Sequence, residues 1–161
     1  MGLFRRVKGQ ESQLKRVIIT AGGTGGHIFP GIAVAKVLIG QQVAVRWVGT
    51  TYGLEKDIVP KESIPIHYLN IRGLRGKGIV QLLKAPWLMM RALFDANRYI
   101  AQFQPQLVLS LGGYASGPMA FMAWLRGVPL VVHEQNASPG LTNRLLAPLS
   151  RLILSGFLNP L

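Results

Sequence analysis

The sequence predicts an α/β domain built on a doubly wound, Rossmann-like parallel sheet with helices on both faces. Three observations predict it. From Arg16 onward, short β-branched runs alternate with longer helical patterns. The strand candidates are almost continuously apolar, as strands covered on both faces must be. Glycine-rich stretches follow directly on several strands, where such a fold turns from strand into helix.

Taken in order, Val17-Ile18-Ile19-Thr20 reads as the first strand and the run from Gly22 to Gly26 as a tight loop. A helix is expected from about Pro30 to Ile39, with Pro30 in its first turn, where a missing N–H costs nothing. Val43 to Val48 and Ile66 to Ile71 read as the second and third strands. A long helix should cover Ile79 to about Phe103, followed by a strand from Leu107 to Leu111. A helix over Pro118 to Arg126, a strand over Pro129 to His133, a helix over Leu141 to Leu149 and a strand over Leu152 to Ser155 complete the series. The domain is thus expected over residues 16–155. Residues 1–15 carry Arg5, Arg6, Lys8 and Lys15 without an apolar run or a small-residue cleavage site, so they read as a mobile basic extension and not as a secretory signal. Residues 156–161 read as the start of a linker to a further domain.

Composition narrows the partners. Eighteen Lys and Arg oppose six Asp and Glu, a formal net charge of +12. That excess favours phosphates, nucleic acid or an anionic membrane surface. Charge alone supports nucleic-acid binding, because neither an aromatic-basic platform nor a helix-turn-helix pattern accompanies it. The absence of cysteine excludes disulfides and thiolate metal sites. The richest apolar segment, Ile79 to Phe94, is interrupted by Gln81, Lys84, Pro86 and Arg91 and falls short of the ~20 residues needed to span a bilayer.

Ligands of doubly wound folds sit at the carboxyl ends of the strands. Three loops there stand out: Gly22-Gly23-Thr24-Gly25-Gly26-His27, Gly112-Gly113-Tyr114-Ala115-Ser116-Gly117-Pro118 and His133-Glu134-Gln135-Asn136. Two glycine loops that open helices on one sheet edge suggest a diphosphate site, since helix N-termini attract anions and glycine permits close approach. The first loop is no P-loop, lacking Gly-Lys-Ser/Thr. It departs from the dinucleotide fingerprint as well, because Ile28 stands at the third glycine position and Val48-Gly49-Thr50 offers no acid for a ribose.

The stretch Ala21 to Gly31 resembles the first glycine loop of the MurG family of glycosyltransferases. Gly73-Leu74-Arg75-Gly76-Lys77-Gly78, the Gly112 loop and His133-Glu134-Gln135-Asn136 resemble three further stretches of that family, in the same order. The likeness covers about Lys15 to Ser155. It implies the N-terminal domain of a two-domain GT-B enzyme, with the C-terminal donor domain absent. The family's reaction is a metal-free, cofactor-free inverting transfer. N-acetylglucosamine passes from UDP-N-acetylglucosamine to the 4-hydroxyl of undecaprenyl-diphosphate-linked muramoyl-pentapeptide, at the cytoplasmic face of the plasma (inner) membrane. The resemblance assigns Thr24, Gly25, Gly26 and Asn136 to the donor. It assigns Gly22, Gly23, Gly112, Gly113, Tyr114, Ser116 and Gly117 to the acceptor diphosphate. The attacking hydroxyl needs a base; His27 is the first choice and Glu134 the second. No metal site is expected: Glu55-Lys56-Asp57 reads as a solvated first helix turn, and His67 as a structural residue.

The long helix carries a membrane expectation. At 100° per residue Ile79, Leu82, Leu83, Pro86, Trp87, Met90, Leu93 and Phe94 share one broad face, wide enough for both sheet and bilayer. Lys77, Lys84 and Arg91 are among the cations around it, a combination suited to an anionic leaflet. By resemblance the apolar patch comprises Leu83, Trp87, Met90, Leu93 and Trp124. The competing reading is a non-catalytic membrane subunit of a split glycosyltransferase.

Overall fold

A computed structural model describes residues 14–71 and 79–157, without the side chains of residues 79–82 and 84. Residues 1–13 of the N-terminal extension, the stretch Gly73 to Gly78 with Lys77, the Lys84 side chain and residues 158–161 lie outside the description.

The elements are β1 (Arg16–Ala21), α1 (Gly25–Gly40), β2 (Ala44–Gly49), α2 (Glu55–Ile58) with a 3-10 turn (Pro60–Glu62), and β3 (Ile66–Tyr68). After residue 78 come α3 (Ile79–Phe103), β4 (Leu107–Gly112), α4 (Ser116–Leu125), β5 (Leu130–Glu134), α5 (Leu141–Leu146) with a 3-10 turn (Ala147–Leu149), and β6 (Leu152–Ser155). The six strands form one parallel sheet in the order β3-β2-β1-β4-β5-β6. The order reverses between β1 and β4, and that switch point is where a crevice opens at the carboxyl edge of such sheets. There the β1–β4 register shifts between Thr20 and Ala21, so that Ala21 pairs with Gly112 as both strands run into their glycine loops.

Successive side chains of a strand point to opposite faces, and β1 shows the result. Val17, Ile19 and Ala21 join Ile28, Ile32 and Ala35 of α1 and Trp47 of β2 on one side of the sheet. Ile18 joins Val48, Val108, Val132 and the inner faces of α3 and α4 on the other. Burial of each of the valine and isoleucine side chains among them contributes about 1.5–3 kcal/mol.

Four elements differ from the sequence reading. Helix α1 starts at Gly25, five residues before Pro30. Thr24, in extended conformation, precedes it, and its carbonyl accepts the His27 and Ile28 amides. Burial of Ile28 holds this glycine-rich turn helical despite its poor propensity, and Pro30 therefore lies inside the helix, unable to donate to Gly26. Strand β3 stops at Tyr68, because the Leu69 amide still reaches Gly49 but Ile71 turns back to Leu69. Strand β6 is exposed along its whole length, so the sheet is not covered on both faces at this edge among the described residues. Helix α3 does not use one broad face for everything. Its core stripe is Ala92, Ala96 and Ile100, whose small alanines permit close packing, while Leu83, Trp87, Met90 and Phe94 face outward. His67, given no partner by the sequence, bonds Asp95 of α3 at 3.2 Å and stacks on Tyr99.

Trp47 anchors the α1 side. Its ring is buried, and its indole N–H donates to the Ala21 carbonyl at 3.1 Å. A Cβ on Gly31 of α1 would lie 2.6 Å from this ring. Gly31→Ala should therefore destabilise the domain by about 1–3 kcal/mol through overpacking, despite a helix-propensity gain of up to ~1 kcal/mol. Urea unfolding measures it; a variant as stable as the parent would show that Trp47 can move aside.

Candidate active-site face

The site is built where β1, β4 and β5 end. The Gly22 and Gly112 loops lie against each other: a Cβ on Gly113 would stand 2.1 Å from the Gly22 carbonyl oxygen. Gly112 and Gly113 also hold φ of +102° and +81°, a region costly for any residue with a Cβ. Tyr114 crosses this junction, its hydroxyl 3.3 Å from Thr50 Oγ1.

Beneath the first loop lies a residue that the sequence reading took for a solvated helix turn. Glu55 is fully buried. Its carboxylate accepts the Gly23 amide at 3.0 Å, the Thr50 amide at 2.9 Å and the Thr50 hydroxyl at 2.8 Å. Such donors are what make a buried charge tolerable. Cβ atoms on Gly22, Gly49 or Gly53 would come within 2.6, 2.6 and 2.0 Å of Glu55. Three glycines thus wrap one carboxylate, and Gly49 and Gly53 flanking the acid were the available signal. The Gly23 amide consequently points inward and is not offered to a ligand. The open donors of this loop are the first amides of α1, at Gly25 and Gly26, which have no intrahelical acceptor.

In the second loop Ser116 is likewise turned inward. It is buried, with Oγ 2.9 Å from the Thr20 carbonyl and 2.7 Å from that of Gly112, while its amide reaches Gly113. Its hydroxyl thus fastens the loop to β1. Gly113, Tyr114 and Gly117 remain partly accessible.

In the third loop Glu134 is buried and accepts four hydrogen bonds: from the Asn136 amide at 2.9 Å, Asn136 Nδ2 at 2.9 Å, the Gly140 amide at 3.1 Å and Asn143 Nδ2 at 3.0 Å. Burial pushes its carboxyl up, but the hydrogen bonds from Asn136, Asn143 and Gly140 outweigh burial and hold it below the usual range. A carboxylate so weakly basic and so enclosed is suited to shaping the loop. It presents Asn136, which is exposed and keeps its carbonyl oxygen for other partners.

His27, in the first turn of α1, is half-buried and tied to β5 through Gln135, a residue the sequence reading left without a role. Gln135 Nε2 bonds His27 Nδ1, and Gln135 Oε1 lies 3.3 Å from His133 Nδ1. With the amide nitrogen toward His27, Nδ1 accepts and the neutral ring carries its proton on Nε2. Turning the amide over reverses both bonds and leaves His27 Nε2 as an acceptor.

On α3, Leu83 and Trp87 are 76% and 67% exposed, and Met90, Phe94 and Arg91 are exposed beside them. Trp124 of α4 is also exposed, its ring 5.6 Å from that of Phe121. Leu93, expected in this patch, instead packs against the core. No helix among the described residues is long and apolar enough to cross a membrane.

Residues 17–154 match the family model described as the glycosyltransferase family 28 N-terminal domain. The chain belongs to that family. The UDP-N-acetylglucosamine--N-acetylmuramyl-(pentapeptide) pyrophosphoryl-undecaprenol N-acetylglucosamine transferase of Vibrio cholerae serotype O1 is 48% identical over 143 residues, 89% of this chain and 40% of the relative. The enzyme of the same name from Photobacterium profundum is 49% identical over an equal length. Acinetobacter baumannii MurG, a crystal structure, superposes with a TM-score of 0.82 at 40% identity, over 91% of this chain and 42% of that one. UDP-GlcNAc 2-epimerase from Neisseria meningitidis, bound to UDP-GlcNAc, shares the fold alone: TM-score 0.65 at 15% identity, over 88% of this chain and 40% of that one. This family 28 domain thus spans about two-fifths of the length of its relatives.

The Glu134 geometry fixes a pH dependence. A depressed folded-state value means that its contribution is complete above the ordinary glutamate value of about 4.3 and is lost as pH falls through the folded-state value. Glu134→Gln should be less stable than the parent by about 1–3 kcal/mol near neutrality, with the gap closing on acidification. Thermal melts between about pH 7 and pH 3 test this; a gap constant over that range would mean that the charge is not what holds the loop.

Proposed function

We propose that this chain is the acceptor- and membrane-binding half of a transferase that moves N-acetylglucosamine from UDP-N-acetylglucosamine to the 4-hydroxyl of N-acetylmuramoyl(pentapeptide)-diphospho-undecaprenol. The observation that carries the reading is the pair of interlocked glycine loops at the sheet's switch point, with His27 in the helix turn that one of them opens.

The Gly25 and Gly26 amides, with Thr24 and Asn136, meet the donor. The Gly112–Gly113 turn, Tyr114 and Gly117 meet the acceptor diphosphate, with Gly22 and Gly23 shaping the floor. Much of the donor site belongs to the length of the relatives that this chain does not span. In the reaction His27 Nε2 takes the proton of the 4-hydroxyl, whose oxygen attacks the anomeric carbon from the face opposite UDP. The glycosidic bond forms with inversion as UDP departs with the bonding electron pair. The positive end of α1 favours the charge developing on the diphosphate. This role requires an unprotonated Nε2 and hence the Gln135 amide turned with Oε1 toward His27. Gln135 is thus a positioning residue that selects the tautomer, and Glu134 holds its loop.

The test joins this chain to the remaining portion of the V. cholerae relative. His27→Ala should lower kcat by ~10²–10⁴ with little change in donor binding. Gln135→Leu should lower kcat less and displace the acid limb of the pH–rate profile, whereas a merely structural Gln135 would leave that profile in place. Near-normal kcat in His27→Ala would overturn the assignment of the base. A parent fusion that binds acceptor yet never turns over would favour the non-catalytic membrane subunit.

The outward face of α3 is the proposed contact with the cytoplasmic leaflet, the domain being peripheral there. Cations draw it to anionic lipid, and Trp87 and Leu83 then bury apolar area at roughly 25 cal/mol per Å². Sedimentation with phosphatidylglycerol vesicles should fall, but not vanish, at about 1 M salt, where the Debye length is ~3 Å. Trp87→Ser should weaken binding with an unchanged melting temperature, because the ring is outside the core. Unchanged vesicle binding by that variant would remove α3 from the contact.

A further inference from the structure

Beside the second glycine loop, helices α3, α4 and α5 border an open-mouthed cavity of about 730 Å³. Leu88 and Met89 of α3, Phe121 of α4 and Leu145 of α5 form its walls. Among the described residues that line it, only the side chains of Tyr114 and Thr142 carry a polar atom, and none carries a charge. A sugar or nucleotide placed there would leave its hydroxyls without partners, at a large desolvation cost. Hydrocarbon would not. The volume lies within the range of small-ligand pockets, roughly 300–1,000 Å³.

The position of the cavity points to one occupant. Tyr114 and Gly117 line it and also belong to the loop that ends β4. The Tyr114 ring faces the cavity while its hydroxyl reaches Thr50 in the polar junction. A molecule spanning both regions must carry an anion at one end and a chain of carbon at the other. We propose that the cavity receives the isoprene units nearest the diphosphate of the acceptor, drawing them off the bilayer and into the domain. The outer part of the chain leaves past Leu141 and Leu145, both largely exposed at the rim. Met89, unbranched and soft, suits a wall that must fit a methyl-branched chain. This assignment rests on the acceptor reading above and adds to it a subsite separate from the outward face of α3. The two faces stand on different sides of one helix, with Leu88, Met89 and Leu93 on the cavity and Leu83, Trp87 and Phe94 outside.

Calorimetric titration of this chain with inorganic diphosphate, farnesyl diphosphate and farnesol separates the possibilities. Farnesyl diphosphate, kept below its micelle-forming concentration, should bind at least about tenfold more tightly than inorganic diphosphate, a gain that burial of a few methylenes readily supplies. Ala85→Phe, which fills the cavity from α3, should abolish that advantage and leave inorganic diphosphate binding unchanged. Leu145→Trp, placed at the exposed rim, should do the same should Ala85→Phe disturb folding, and Trp87→Ser should leave the advantage intact. Equal affinities for the two diphosphates would overturn the cavity assignment while sparing the diphosphate site; binding of neither would overturn both. Farnesol binding as tightly as farnesyl diphosphate would make this a general lipid pocket and end the proposal. So would loss of the advantage in Trp87→Ser alone, which would place the chain on the outward face.

Discussion

The site depends on the close approach of two backbone turns, at Gly22 and Gly113, over one buried carboxylate. Gly113 fits against the Gly22 carbonyl only because it has no side chain, and Gly22 fits over Glu55 for the same reason. Glu55 ties Thr50 at the end of β2 to Gly23 beyond β1, and Ser116 ties the β4 loop back to Thr20. Three strand ends are thereby fixed to one another without a ligand. Amides fixed in this way need no reorganisation when charge arrives, which is how preorganised dipoles become effective.

The sheet was readily legible because its strands are short, apolar and bounded by glycine, and strand identity follows from composition over four or five residues. The N-terminus of α1 was not legible. Gly25 and Gly26 have poor helix propensity, and only burial of Ile28 against the sheet makes that turn helical. The site showed the same division. Its loops could be located, because glycine density is a local signal. The direction in which each group points could not, because it depends on what lies beneath. Glu55 looks like an ordinary acid in a first helix turn until the loop from another strand folds over it. Ser116 and Glu134 are polar residues in ligand-rich loops whose partners, Thr20 and Asn143, are distant or unremarkable in sequence. Gln135 is legible only once α1 and β5 are brought together.

Helix α3 shows how composition can mislead about a face. Its largest apolar side chains suggest the core side, yet the core takes Ala92 and Ala96, and the large residues divide between the outward surface and the cavity. Small residues at the packing seam bring α3 close to α4 and leave bulk for elsewhere. A sliding measure of hydrophobicity adds these faces together, and only a three-dimensional account separates them.

The outermost strand has a consequence for handling the protein. Among the described residues β6 is paired on one side only, and Leu152, Ile153 and Leu154 are exposed along it. An open, apolar strand edge is a template on which another strand can add. Opposing that tendency is the formal charge of +12, which makes two copies repel at a distance. Colloidal behaviour is therefore a contest between a short-range edge and a long-range field. Salt weakens the field and leaves the edge unchanged, so buffers chosen to suppress electrostatic binding will also promote strand-to-strand association.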